Sequence, residues 1–513
     1  MTPLTIDSIR NCRPTTRDHL HHWTEGFTGV RIARRAVCVG HHAPFDAYAA
    51  KCLDCPPITL ELGSRGSGKS FIEALTLHYT SRFLARHKSR ILGGSEAQSR
   101  QIYEALQSHV QDGHGDLGSD GDTIESLQVK QARYRNASHV AILAASSRSV
   151  RGPHVPTLAL DEVDEIEPDI REAAMGMNMG VGDVNASLHM TSTWHRTAGP
   201  MASLIEQARG GAFPLFIYCV FEVLERCSTS RSGSHLEKCP ECPLMKWCHE
   251  DRFADPTRPP KAKISDGHYR IDDLIQKVRT TSKRVFEADY LCKGPKANGI
   301  WFPQFDRAKH VTAAAEYDPN LNVYLGIDIG NRTGAVFFQV REMPGNNHRI
   351  TAFADFYADN AVSAEAVARE ILEVARVRCN GKLARVTHDP AGLAKTAVGP
   401  AVITEYKRAG FGPMSGWPMA RVLDSLALLE AFVMDASDTP WLAIHPRCKH
   451  LIDAFEGYRR GGKAPQWSEM PADPQHPAED MIDALRGGLY DRFPDGRKGQ
   501  RPGRKVGRYG FST

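Results

Sequence analysis

Ile58-Thr59-Leu60-Glu61-Leu62 runs directly into Gly63-Ser64-Arg65-Gly66-Ser67-Gly68-Lys69-Ser70, and Phe71-Ile72-Glu73-Ala74-Leu75 follows. The first stretch is an apolar run of strand length, the second matches G-x-x-x-x-G-K-[ST] in full, and the third opens a helix. Strand, loop and helix in that order are the context this motif requires. The glycines let backbone N–H groups wrap phosphates, the Lys69 ammonium reaches the β and γ oxygens, and the Ser70 hydroxyl holds Mg²⁺. A glycine-rich surface loop would need neither the Lys-Ser pair nor both flanks, so the stretch reads as a nucleoside triphosphate site.

Pro156-Thr157-Leu158-Ala159-Leu160-Asp161-Glu162 supplies the second half of such a site, a short apolar strand ending in two acids. Asp161 is assigned to the Mg²⁺ shell and Glu162 to water activation, which binding alone would not need. Leu188-His189-Met190-Thr191-Ser192-Thr193 is a further strand ending in hydroxyls, placed to sense the γ-phosphate; a plain strand exit into Trp194, His195 and Ala198-Gly199-Pro200 is the competing reading. Thr193 joins the phosphate loop and Asp161 as a nucleotide-binding residue.

At 513 residues, with 41% hydrophobic and 24% charged residues, the chain is too long for one core and is expected to hold two domains plus insertions. The net charge of +4 neither requires nor excludes a polyanion. Basic residues cluster at the end, where Arg497, Lys498, Arg501, Arg504, Lys505 and Arg508 alternate with glycines and no acid, as in a disordered arm for phosphate contact or a solubilising tail. The first residues carry no charged-then-apolar leader, and no apolar run reaches membrane-spanning length, so a cytosolic protein is expected. Its 12 cysteines then read as thiols or metal ligands.

Cys227, Cys239, Cys242 and Cys248 form a C-x₁₁-C-x₂-C-x₅-C set in a Ser/Arg/Pro-rich stretch. The C-x₂-C knuckle suits a tetrahedral ion, Zn²⁺ first and an iron–sulfur cluster second, with His235 or His249 as substitutes for one ligand. Four unconnected thiols would leave a stretch poor in apolar residues without a staple. Cys52 and Cys55 form a lone C-x₂-C read as structural or incidental. Tyr269 to Cys292 reads as helical, and the residues up to Pro319 as a linker.

From Leu321 onward a second α/β block begins. Tyr324-Leu325-Gly326-Ile327-Asp328-Ile329-Gly330 and Gly334-Ala335-Val336-Phe337-Phe338 read as a hairpin of buried strands, with Asp328 in the middle of the first. A lone carboxylate there is costly unless it meets a cation. Asp389 ends the strand Val386-Thr387-His388, and Asp480 and Asp483 share one face at the start of a helix. Converging, these acids would hold two Mg²⁺ or Mn²⁺ ions for in-line cleavage of phosphodiesters. The rival readings are a sugar-kinase-like nucleotide site on the D-x-G strand, and helix acids that merely complement the helix dipole.

In this order the motifs resemble a phage terminase large subunit, over roughly Thr59 to Tyr490. The resemblance rests on Gly63–Ser70 with Arg65 inside the loop, Leu158–Glu162, Thr191–Thr193 and the carboxylates Asp328, Asp389, Asp480 and Asp483. It implies an α/β chain with an N-terminal P-loop ATPase of mostly parallel sheet (1–225), a cysteine-rich metal-binding insertion and linker (226–320), an RNase H-like nuclease (321–495) and a basic tail (496–513). It implies ATP-driven packaging of double-stranded DNA into a procapsid and endonucleolytic cutting of concatemers, with ATP, Mg²⁺ or Mn²⁺, and structural Zn²⁺. Thr191 to Thr193 would couple hydrolysis to DNA movement, Arg65 would stabilise the transition state in cis, and Arg148 or Arg151 would reach a neighbouring subunit's ATP. Implied partners are a portal protein, a small terminase subunit and further copies in a ring, in the host cytoplasm and docked on the procapsid portal. The cysteine insertion departs from the family's usual core. A helicase–nuclease of repair or defence and a non-enzymatic DNA-binding scaffold are the alternatives.

Overall fold

The computed structural model describes residues 9–111, 123–143, 154–182, 184–194, 199–228, 239–294, 299–344, 347–359, 363–390, 402–418, 422–463, 466–494 and 496. Arg148, Arg151, His195, His235 and the basic tail from Arg497 onward lie outside these residues. The chain forms two compact units, Met1–Leu274 with Glu287–Pro295, and Ile275–Phe286 with Lys296–Thr513. The stretch 226–320 is therefore divided between them. Among the described residues no helix is long and apolar enough to cross a membrane.

The first unit is built on eight strands: β1 Ile58–Gly63, β2 Lys88–Gly93, β3 Ile124–Leu127, β4 Gln131–Tyr134, β5 His139–Ile142, β6 Thr157–Asp161, β7 Ser187–Ser192 and β8 Leu215–Tyr218. They lie in the order β3-β4-β5-β2-β6-β7-β1-β8. From β5 to β8 every pairing is parallel, and only β3-β4-β5 is antiparallel. β7 sits between β1 and β6 and runs parallel to both, so the loop after β1 and the acids at the end of β6 open at the same, C-terminal end of the sheet. The helix Lys69–Phe83 is buried on opposite sides, Ile72, Leu75 and Tyr79 against Leu20, Phe45 and Tyr48, and Ala74 and Leu77 against Ile91 and Ile102.

Beneath the phosphate loop runs a buried ionic network that the sequence did not announce. Lys51 Nζ donates to Glu61 Oε1 (2.5 Å) and Glu73 Oε2 (2.7 Å), His189 Nδ1 meets Glu73 Oε1 (2.7 Å), and Tyr218 donates to Glu61 Oε2 (2.5 Å). Burial alone would raise the Glu73 carboxyl, but the Lys51 ammonium and His189 outweigh it and hold it down to about 2. Glu73 thus contributes stability above its unfolded value that is lost only as pH falls toward 2. Removing one partner leaves an uncompensated buried charge, so Lys51→Ala is expected to cost about 3–5 kcal/mol, read as a lowered denaturation midpoint of this unit.

The second unit holds a six-stranded sheet of β9 Val323–Asp328, β10 Thr333–Met343, β11 Asn347–Ala358, β12 Arg385–His388, β13 Met414–Gly416 and β14 Leu442–Ile444. The order is β13-β12-β9-β10-β11-β14, with β9-β10-β11 antiparallel and the flanking pairs parallel. Strand alternation sends Leu325, Ile327, Ala335 and Phe337 into a core with the helix Ala364–Cys379, while Val336 and Phe338 pack on the other face with the helices Val422–Val433 and Ala478–Arg492. On that second face Gly326 lets the helix Ala478–Arg492 lie against the sheet: a Cβ there would stand 2.0 Å from the Ala484 carbonyl oxygen. At Gly334 it would stand 2.7 Å from the Asp480 carbonyl oxygen. Gly326→Ala must push the helix away, and a loss of at least about 1–3 kcal/mol is expected in thermal or urea unfolding.

Candidate functional sites

In the first unit the loop between β1 and the helix Lys69–Phe83 turns through Gly66 and Gly68, at φ of 76° and 85°. These are left-handed conformations that glycine adopts without steric cost. Gly63 is held by close packing instead, since a Cβ would come 2.7 Å from both the Lys69 stem and the Tyr218 ring. Lys69 Nζ donates to the carbonyls of Gly63 (3.0 Å) and Ser64 (3.4 Å) and lies 3.6 Å from Glu162 Oε1. Ser67 Oγ donates to the Ser64 carbonyl at 2.7 Å and closes the loop on itself.

The strand register brings the acids to that loop. Asp161 pairs in register with Thr191, whose hydroxyl donates to Asp161 Oδ1 at 2.6 Å, while Ser70 donates to Asp161 Oδ2 at 2.9 Å. Burial raises the Asp161 carboxyl, with the Thr191 hydroxyl pulling the other way. Glu162 takes φ of 49°, a strained value for a residue with a side chain. This turn carries its carboxylate toward Lys69, and its Oε2 accepts from Ser192 Oγ (3.3 Å), Thr193 N (3.3 Å) and Thr193 Oγ1 (3.4 Å). The three hydroxyl residues at the end of β7 and just past it are thus divided, Thr191 to the first acid and Ser192 and Thr193 to the second.

A cavity of about 560 Å³ opens here, lined by Ser64, Arg65, Gly66, Gly68, Lys69, Ser70, Asp161, Glu162 and Thr193, together with Gln98 and Gln101, which the sequence reading did not single out. The Arg65 guanidinium lies 3.8 Å from Asp289 and is 74% exposed. Chemically, the site offers phosphate donors in the loop, a hydroxyl and a carboxylate 2.9 Å apart as hard oxygen ligands, and a second carboxylate facing the lysine.

In the second unit Asp328 is the last residue of β9, not a mid-strand residue as its apolar neighbours suggest: pairing with β10 ends at Asp328–Gly334. Asp389 follows β12 directly, and its N–H donates to the Ile327 carbonyl at 3.1 Å. The helix Ala478–Arg492 brings Asp480 and Asp483 to the same place. Burial pushes the Asp328 carboxyl well up, and the charges of Asp483, Asp389 and Asp480 push it further, with only Arg486 opposing. Asp483, Asp389 and Asp480 are therefore each within electrostatic reach of Asp328, although among the described residues no three of the four bring carboxylate oxygens within 4.8 Å of one another; such a concentration of negative charge is what a divalent cation relieves.

The two helix acids differ in their partners. Asp480 is buried and receives His476 Nδ1 at 2.9 Å on both oxygens and the Tyr357 hydroxyl at 3.2 Å. Asp483 is gripped at both oxygens by Arg486 (2.7 and 2.5 Å), itself anchored on Ser425 at 2.8 Å. His476 and Arg486 had a local signal, standing four residues before Asp480 and three after Asp483; Tyr357, 123 residues from its partner, had none.

The other three predicted cysteine ligands are within electrostatic reach of Cys248, but among the described residues no three of the four sulfurs come within 4.8 Å of one another. Cys239–Glu241 forms a tight turn, the Cys242 N–H donates to the Cys239 carbonyl (3.0 Å), and Cys248 ends a short helix. Ala262 ties the ends together: its N–H donates to Cys248 Sγ (3.4 Å) and its carbonyl accepts from Cys227 N (2.7 Å). Burial pushes the Cys248 thiol up to about 12, and the other three cysteines add to the rise.

No family model matches the sequence, and no curated protein does. Solved structures do match. The large terminase of a thermophilic bacteriophage, in complex with ADP, aligns at 12% identity over 86% of this chain and 96% of its own, with a TM-score of 0.50. The HK97 bacteriophage large terminase aligns at 12% identity over 89% and 98%, with a TM-score of 0.34. The large terminase nuclease of thermophilic phage G20c with bound magnesium aligns at 17% identity over 37% of this chain and 97% of its own, with a TM-score of 0.26.

Proposed function

We propose that this chain is the large subunit of a phage terminase, a motor that uses ATP to drive double-stranded DNA into a procapsid and that cuts concatemeric DNA. One observation carries the reading: a phosphate loop facing Asp161 and Glu162, and a four-carboxylate cluster at the end of a second sheet, stand on the same polypeptide. The fold shared with the ADP-bound large terminase supports it. The residues suit an ATP·Mg complex, with Ser70 and Asp161 as oxygen ligands and the loop N–H groups and Lys69 on the phosphates. Magnesium there neutralises phosphate charge. Glu162 orients and polarises the attacking water, and Ser192 and Thr193, bonded to the same carboxylate, relay its movement into β7. Arg65 contributes positive charge at the cavity mouth.

In the second unit Asp328, Asp389, Asp480 and Asp483 suit Mg²⁺ or Mn²⁺, which when bound activates water and stabilises the phosphorane-like charge. His476 and Tyr357 orient Asp480, and Arg486 orients Asp483. Cys227, Cys239, Cys242 and Cys248 would hold structural Zn²⁺, a reading supported by the N–H···Sγ bond onto Cys248 and requiring their sulfurs to draw together on the ion. The working division is an ATPase at 1–225, the cysteine insertion and linker at 226–320, the nuclease at 321–495 and a DNA-contacting basic tail at 496–513. Its partners are a portal protein, a small terminase subunit and further copies in a ring, in the host cytoplasm and on the procapsid portal.

Phosphate release and DNA cutting, each with and without linear duplex DNA, test the reading. Glu162→Gln should keep ATP binding and lose turnover by roughly 10²–10⁴-fold. Strand displacement without packaging would instead point to a helicase–nuclease.

A further inference from the structure

Outside both sites, four ligand-bearing side chains converge in the first unit where β8 ends. The Sγ atoms of Cys38 and Cys219, a ring nitrogen of His41 and a carboxylate oxygen of Glu222 all lie within 4.8 Å of one another. They come as two pairs of the same spacing. Cys38-Val39-Gly40-His41 is a tight turn in which His41 N donates to the Cys38 carbonyl (3.3 Å) and Gly40 takes φ of 74°. Cys219 and Glu222 cap the start of the short helix Val220–Val223. The pairs are 181 residues apart in sequence.

We propose that Cys38, His41, Cys219 and Glu222 form a structural zinc site, separate from the Cys227–Cys248 cluster. The two sulfurs are 3.5 Å apart. That is far from the roughly 2.05 Å of a disulfide and close to the roughly 3.8 Å that two thiolates span on a tetrahedral zinc with bonds of about 2.3 Å. His41 Nδ1 stands 3.1 Å from Glu222 Oε2, near the spacing of neighbouring N and O ligands on such an ion. Glu222 and Cys219 are fully enclosed, Cys38 is 8% exposed and the His41 side chain 17%, and four protein ligands complete a tetrahedron, so the site is of the closed, structural kind.

The surroundings hold the ligands in place. Cys219 Sγ accepts from Phe221 N at 3.4 Å, the kind of backbone hydrogen bond that orients a metal-bound sulfur. Glu222 also accepts from the N–H groups of Cys38 (2.8 Å) and Cys219 (2.7 Å), which fixes its carboxylate between the two turns. On binding, the thiols give up their protons to solvent. The ion would clamp residues 38–41 to the end of β8, whose Tyr218 carbonyl accepts the N–H of Ser64 in the phosphate loop (3.1 Å).

The test starts from the full chain carrying Cys239→Ser and Cys242→Ser, so that the other cluster does not contribute. That protein should retain about one zinc per chain by elemental analysis, and Co²⁺ in its place should give the visible bands of a tetrahedral ion with thiolate charge transfer. Adding Cys219→Ser or His41→Ala should abolish both. A folded Cys239→Ser/Cys242→Ser chain that binds neither metal, or binds cobalt without thiolate bands, overturns the proposal. A second measurement needs no substitution. In the unaltered protein, alkylation of Cys38 and Cys219, read by peptide mass, should rise when a chelator is added; labelling that is the same with and without chelator also overturns it. The inference is independent of the terminase reading, whose failure would appear as missing ATPase or nuclease activity with zinc content unchanged.

Discussion

Lys69→Ala is expected to abolish ATP turnover, by on the order of 10²–10³-fold for the loss of one fixed charge at the transferring phosphoryl group. The ammonium has no surface alternative, since it is 7% exposed and bonded to the carbonyls of Gly63 and Ser64. These are neutral acceptors, which phosphate oxygens outcompete because a charge-assisted bond is about twice as strong as a neutral one. The stem also packs against Gly63, so alanine leaves the loop both uncharged and less supported. The measurement is phosphate release with linear duplex DNA present, paired with binding of a fluorescent nucleotide. Should turnover survive at the unaltered level, the phosphate-loop reading fails, and DNA transport with it. Arg65→Ala provides the contrast, because its guanidinium is mostly in solvent and should affect turnover without removing nucleotide binding.

The parts of these sites that were readable in the sequence are those whose chemistry is local. Strand, glycine loop and Lys-Ser pair are contiguous, and Asp161 with Glu162 ends an apolar run, so spacing alone identifies them. Asp328 shows where this stops working. Ile327 and Ile329 flank it and make it look central, but where the strand ends depends on where β10 begins to pair with it, at Gly334, and the segment in between does not reveal that. The Lys51, Glu61, Glu73 and His189 network failed to register for a different reason. A charged residue in an apolar run reads as solvent-facing, and its neutralising partners come from separate elements brought together only by the sheet order. Cys38 and Cys219, taken singly, likewise carry no signal. In the Cys227–Cys248 segment, by contrast, ligand spacing within one short stretch was enough to propose a site.

Asp328→Asn should reduce DNA cutting by roughly 10³-fold or more, since a bound divalent ion contributes several kcal/mol of transition-state stabilisation. The same substitution should make the protein more stable when Mg²⁺ and Mn²⁺ are removed. Burial and three neighbouring carboxylates raise the Asp328 carboxyl well above its unfolded value, so the native state holds that proton more tightly than the unfolded chain does. Stability of the unaltered protein must then fall as pH rises from the unfolded carboxylate range through the raised native one. Asparagine carries no charge and escapes that fall. In chelator, the variant's advantage in melting temperature should therefore be small at pH 5 and larger at pH 8. Adding Mg²⁺ should stabilise the unaltered protein and leave the variant nearly unmoved, because ligand binding stabilises only the form that can take the ion. A variant that cuts DNA normally excludes Asp328 from catalysis. One that melts below the unaltered protein at pH 8 in chelator, with the same Mg²⁺ response, would mean that the four acids do not share a cation at all.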